Sequence, residues 1–255
     1  MIEWRDEGVL LAVRKHGETA VIVEFFTQHH GKHAGVVRGG AGRRQGPILQ
    51  PGGQFEVVWK ARLEEHMGAF TVEPMRSRAA QVMADPLALA GLTSVVGLLN
   101  FALPERAQHG ALYSASINLL DLICVTEAWP LAYLHWEMQL LEDLGFGLDL
   151  SCCVVSGTTE DLAYVSPKSG RAVAAHHAGR WKTQLLPLAP CMIGQSVADN
   201  GEIAAGLRTT GYFLEKWLAP SLGDRGLPLA RQRLVERLFR AARLEQGPSG
   251  EANHE

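Results

Sequence analysis

The chain has 255 residues, 47% of them hydrophobic, and a formal net charge of −3, which is enough material to bury one large core or two smaller ones. Glu3, Arg5, Asp6 and Glu7 crowd its start, so no secretory leader and a cytoplasmic location are expected. The longest apolar run, 87–103, is 17 residues broken by Gly91, Thr93, Ser94, Gly97 and Asn100, too short and too interrupted for a membrane span.

Residues 1–76 read as five short strands. Gly8–Lys15 and Thr19–Thr27 flank the turn His16-Gly17-Glu18, and Lys32–Arg38 follows through His29-His30-Gly31. A long loop, 39–54, carries Gly39, Gly40, Gly42, Gly46, Pro47, Pro51, Gly52 and Gly53, a composition that predicts a flexible segment without regular structure. Phe55–Ala61 and Met67–Glu73 complete the set. Five short strands leave exposed edges unless they close, so an OB-fold barrel is expected.

From Ser77 the apolar spacing turns helical, giving an α+β chain whose second domain, 77–246, is mainly α. Helices are predicted near 78–83, 86–102, 109–126 and 130–144, the second opened by the cap Asp85-Pro86. An insert at 147–190 holds a hairpin, Ala163–Val165 and Arg171–Val173, expected to be held by Leu162, Tyr164 and Val165. Helices at 196–219 and 228–246 precede a polar tail, 247–255, expected to be disordered.

Charge is segregated along the chain. Residues 32–62 hold six cations against Glu56, residues 79–150 hold eight acids against Arg106, and residues 225–243 hold six arginines against Glu236. This pattern points to a polyanionic partner. Arg38, Arg43 and Arg44 in and beside the glycine loop are the leading phosphate ligands, with Arg14, Lys15, Lys32, Lys60 and Arg62 on strands or at strand ends and Lys168 and Arg171 at the insert's tip. Arg233, Arg237 and Arg240 share one helix face. Phe25, Phe26, Phe55, Trp59 and Phe70 are expected mostly in the barrel core, and His29, His30 and His33 as exposed turn histidines. No phosphate-loop motif or nucleophile elbow is present, so no catalytic residue and no cofactor are assigned.

Several segments together resemble the RecO family of bacterial recombination mediators: DEGVLLAVRKHGETAVIVEFFTQHHGKHAGVVRGG at 6–40, LQPGGQFEVVWKARLEE at 49–65, LLEDLGFGLDLSCCVVSG at 140–157, TEDLAYVSPKSGRAV at 159–173 and LPLARQRLVERL at 227–238. The resemblance implies an N-terminal OB-fold, a helical C-terminal domain and a non-enzymatic role. It implies binding to single- and double-stranded DNA, strand annealing, and work with RecR and the single-strand binding protein SSB in loading RecA, close to the nucleoid. It further implies an apolar pocket for the acidic SSB tail, sought beside Arg208, Lys216 or Arg231. Many members bind zinc through two Cys-x-x-Cys pairs in the insert. Here those positions read Cys153-Val154-Val155-Ser156 and Ala174-Ala175-His176-His177. Cys153 and His177 remain as ligands, with Cys152 and His176 as substitutes, and a tetrahedral structural site needs four, so no metal is expected. The competing reading is a helical adaptor whose barrel docks proteins and whose basic loop is incidental.

Overall fold

In a computed structural model, residues 1–245 are described apart from Val197 and Asp224; the tail expected to be disordered lies outside the described residues. The chain forms two compact units, one of residues 1–129 with 227–231, the other of residues 130–226 with 232 onward.

The first unit is built on a closed five-stranded barrel of order β1-β2-β3-β5-β4, with β1 Ile2–His16, β2 Ala20–Thr27, β3 Gly31–Val37, β4 Gln54–Ala61 and β5 Ala69–Arg76. That order is the OB-fold order. All pairings are antiparallel except β3 with β5, which is parallel and rests on the single register pair Val36 to Ala69. Alternation along β2, β3 and β4 sends Val21, Val23, Phe25, Val37, Phe55, Val57 and Trp59 inward, and they meet Leu10 and Phe70 in one apolar cluster. All five aromatics expected in the core are buried, each at most 4% exposed.

β1 differs from expectation by beginning at Ile2 instead of Gly8. Its first half pairs along β4, from Ile2 with Ala61 to Val9 with Gln54. Charged Glu3, Arg5 and Glu7 hide this strand in the sequence because they occupy its outer face, while Asp6 is buried. Helices α1 Ala79–Val82, α2 Pro86–Ala102 and α3 Gly110–Val125 complete the unit. Asp85 caps α2 by accepting from the Leu87 and Ala88 amides at 2.8 and 3.1 Å. Arg78 is fully buried and knits the unit together. Its guanidinium donates to Asp121 of α3, to the Gly52 carbonyl (3.2 Å) and to the Gln54 side chain (3.0 Å).

The second unit contains α4 from Pro130, the helix α4 as a whole running Trp129–Asp143. The insert follows with β6 Leu162–Val165, β7 Ala172–Ala174, the short α5 Ala175–Ala178, a 3-10 segment Gly179–Gln184 and β8 Leu186–Pro187. Its sheet has three strands in the order β7-β6-β8, one more than the expected hairpin. Val165, Ala172 and Ala174 are fully buried whereas Leu162 and Tyr164 are only half-buried, so β7 rather than the expected Leu162 and Tyr164 anchors the insert. Helix α6 Asn200–Phe213 passes through a π-helical turn, Leu214–Leu218, into α7 Ala219–Ser221, and α8 spans Leu229–Glu245. Between α4 and α6 the buried Thr210 hydroxyl donates to the Glu137 carboxylate at 2.5 Å.

Candidate nucleic-acid interface

The parallel seam between β3 and β5 closes the barrel only at Val36 and Ala69, so the surface beyond it stays open. A cavity of about 530 Å³ opens there, lined by Val37, Arg38, Gln45, Lys60, Arg62, Phe70 and Val72 among others. A second, of about 670 Å³, is lined by Arg38, Arg44, Gln45, Ile48, Val72 and Pro74 with Gly39, Leu49 and Phe55. The two share Arg38, Gln45 and Val72 and form one trough along the seam. Its cations are Arg38, Arg44, Lys60 and Arg62, and its floor is largely apolar. Among the described residues, no carboxylate lines either cavity.

The loop that forms one wall is tied more firmly than its composition suggests. Successive turns bond Gly42 to Gly39, Gly46 to Gly42 and Leu49 to Gln45 through backbone N–H to carbonyl hydrogen bonds of 2.9 to 3.1 Å. The Ala41 amide donates to the Thr19 carbonyl (3.0 Å), and Gly52 and Gly53 exchange hydrogen bonds with Leu10. Leu49 enters the barrel core at 4% exposure. Gly40 has to lack a side chain, because a Cβ there would lie 2.5 Å from Val21. As expected, the loop holds no helix or strand, but its turns are strapped to one another and to the barrel, and the arginines project from that frame.

The remaining candidates are dispersed. Arg43 is exposed in the same loop but lines neither cavity. Arg14 pairs with Glu24, and Lys15 is exposed near the end of β1. Lys60 shares the trough but also meets Glu3 at 3.1 Å. Lys32 lies elsewhere on the unit, its ammonium donating to the Asn100 carbonyl at 2.9 Å. In the second unit Lys168 is exposed at the hairpin turn, while Arg171 is paired with Asp149 at 3.1 Å. Hydrogen bonds from Ser151, with Arg171 beside them, hold the Asp149 carboxyl below the usual range. Arg208 is exposed and lies over the Phe239 ring at 5.1 Å, and Lys216 meets Glu215 at 3.3 Å. Arg231 is only 6% exposed, which leaves Arg208 and Lys216 as the surface cations of that group. Gln45 and Ile48 of the trough escape a reading of the sequence; an Ile-Leu pair inside a glycine-proline stretch is the signal that marks the loop as anchored.

The turn histidines are not simply exposed. His33 is buried, and burial together with the Arg106 charge pushes its pKa down to about 4. His29 and His30 both meet the buried Asp6 carboxylate through Nδ1, at 3.0 and 2.9 Å, and His30 stacks on Trp4 with centroids 4.0 Å apart. Burial raises the Asp6 pKa, but the bonds from His30, His29 and the Glu7 amide outweigh it and hold it below the usual value.

The insert does not carry a zinc ligand set. Ser156 replaces the second sulfur, and Ala174 has no ligand atom. Cys153 is buried and accepts from the Ala174 amide at 3.3 Å. Burial would raise its pKa, but donors from Ser156, Ala174 and Val155 bring it to about 6. No group of three or more His, Cys, Asp or Glu side chains among the described residues could hold a metal ion. No helix among them is long and apolar enough to cross a membrane.

Fold and trough define an α+β protein that presents a basic groove on an OB-fold barrel. Residues 1–78 match the family model for the recombination protein O N terminal, and residues 83–228 the model for its C terminal. The chain belongs to the RecO family. It is 56% identical over 239 residues to the DNA repair protein RecO of Ruegeria sp. (strain TM1040), covering 94% of this chain and 99% of the relative. The protein of the same name from Cereibacter sphaeroides is also 56% identical, over 241 residues covering 94% and 100%. That of Jannaschia sp. is 52% identical over 239 residues, covering 94% and 97%.

Proposed function

We propose that this chain is a DNA repair protein of the cytoplasm and nucleoid that binds single- and double-stranded DNA, anneals complementary strands and, with RecR and SSB, assists RecA loading, without being an enzyme. The observation that carries the reading is the trough at the β3–β5 seam, where four cations, Arg38, Arg44, Lys60 and Arg62, stand over a largely apolar floor with no acid among its described lining residues. Guanidinium and ammonium groups in such a groove can follow a phosphate backbone of any sequence, and the apolar floor can cover the faces of unstacked bases. Annealing then needs no reacting group. Two strands approach once their phosphates are neutralised, and base pairing supplies the rest.

Fluorescence anisotropy with single-stranded oligonucleotides tests this. The triple variant Arg38→Ala, Arg44→Ala, Arg62→Ala is expected to weaken binding to unrelated sequences alike and to slow annealing. Unchanged binding would favour a protein-docking adaptor. A partner role for SSB is tested by titrating its acidic tail peptide, with Arg208→Ala expected to weaken the complex. Copurification with RecR tests the second partner.

A further inference from the structure

Residues 162–198 contain no acid, and the cations Lys168, Arg171, Arg180 and Lys182 lie within them. The 3-10 segment Gly179–Gln184, G-R-W-K-T-Q, is exposed at every residue. Trp181 sits at its centre with 48% of its surface open, although the Arg180 guanidinium already lies 4.9 Å from its ring centroid. Neither Arg180 nor Lys182 has a carboxylate partner among the described residues. An indole left in water loses the hydrophobic gain of burial, and two uncompensated cations beside it select an anionic occupant. The backbone fixes this arrangement: Gly179 takes φ 44° and Ala178 before it is 2% exposed, so the segment starts from a buried anchor.

We infer that Trp181, flanked by Arg180 and Lys182, is a second nucleic-acid contact in which an unpaired base stacks on the indole and its neighbouring phosphates meet the two cations. This rests on the DNA-binding reading above but uses a different unit of the chain. A cation already over one ring face leaves the guanidinium edge free for phosphate, and π-stacking accepts any base. A bilayer surface is the poorer occupant, because Thr183 and Gln184 continue the segment and a membrane-seated stretch needs a broader apolar face.

The test uses the full-length protein. A single-stranded oligonucleotide carrying 5-bromouracil should photocrosslink to Trp181. Trp181→Ala should weaken single-strand binding about five- to tenfold, while Trp181→Phe keeps most of it. Arg180→Ala with Lys182→Ala should make the salt dependence shallower by roughly 1 to 1.5 in log–log slope. If Trp181→Ala binds like the wild type while the Arg38, Arg44, Arg62 variant is weakened, the platform is refuted and the barrel reading stands. If neither variant changes binding, both fall. Trp181-dependent binding to vesicles of phosphatidylglycerol and phosphatidylcholine, with DNA affinity unchanged by Trp181→Ala, would also overturn it.

Discussion

Arg78 is a cation with no exposure to water, and its hydrogen bonds run to Asp121, the Gly52 carbonyl and Gln54, all inside the fold. A lysine could not reach all three, since it lacks the planar fork. Removing the guanidinium leaves Asp121 with Arg76 and leaves a buried carbonyl without this donor. Arg78→Met should therefore cost about 3 kcal/mol, the low end for breaking a buried pair because Asp121 keeps one partner, and a urea titration reads the loss. His33 sets a different dependence. Its folded pKa of about 4 lies below the unfolded 6.5, so between those values the unfolded chain binds more protons. Its contribution to stability is complete above about 6.5 and is lost as pH falls towards 4; Asp6, also depressed, adds a loss at still lower pH. Arg106, His30 and Asp6 are the charges facing it. The drop in urea midpoint between pH 7 and pH 5 should be smaller in His33→Phe than in the wild type; equal drops would assign the effect to other groups.

At the scale of elements, the loop 38–53 matters because Leu49 pins it into the barrel while Arg38 and Arg44 line the trough. Leu49→Ala should lower stability by about 2–4 kcal/mol and, beyond that, increase proteolysis within the loop and weaken DNA binding. Weakened stability with untouched loop protection would show that the strap does not depend on this side chain. The elements most legible in the sequence have local causes. Asp85-Pro86 announces α2, whose range 86–102 matches the expectation because cap, period and the terminating Pro104 all lie within or beside the segment. What stays hidden depends on distant partners. The start of β1 is set by pairing with β4, more than fifty residues on, and Asp6 is held in its buried place by His29 and His30. The trough shows both cases. Arg38, Arg44, Lys60 and Arg62 are legible as basic residues, but Lys32 and Arg171 look alike in sequence and are engaged with Asn100 and Asp149.

Across the whole molecule a net charge of −3 coexists with a groove that no acid among the described residues lines, so the proposed attraction to DNA depends on where the cations stand and not on the overall charge. Such binding must be strongly salt-dependent. Neutralising about four phosphates of a single strand in the seam contributes roughly −3 to the log–log slope, so a fourfold rise in salt weakens that contact by about sixtyfold. Lys60 is the exception within the set, because Glu3 at 3.1 Å already balances part of its charge. Loss of Arg38 and Arg44 together should make the slope shallower by about 1.5, whereas loss of Lys60 should change it by less than either arginine does. Glu3→Gln is the decisive complement: freeing Lys60 should tighten binding and steepen the slope. A slope that ignores all three changes would place the phosphates outside the seam, whatever the affinity measured at a single salt concentration.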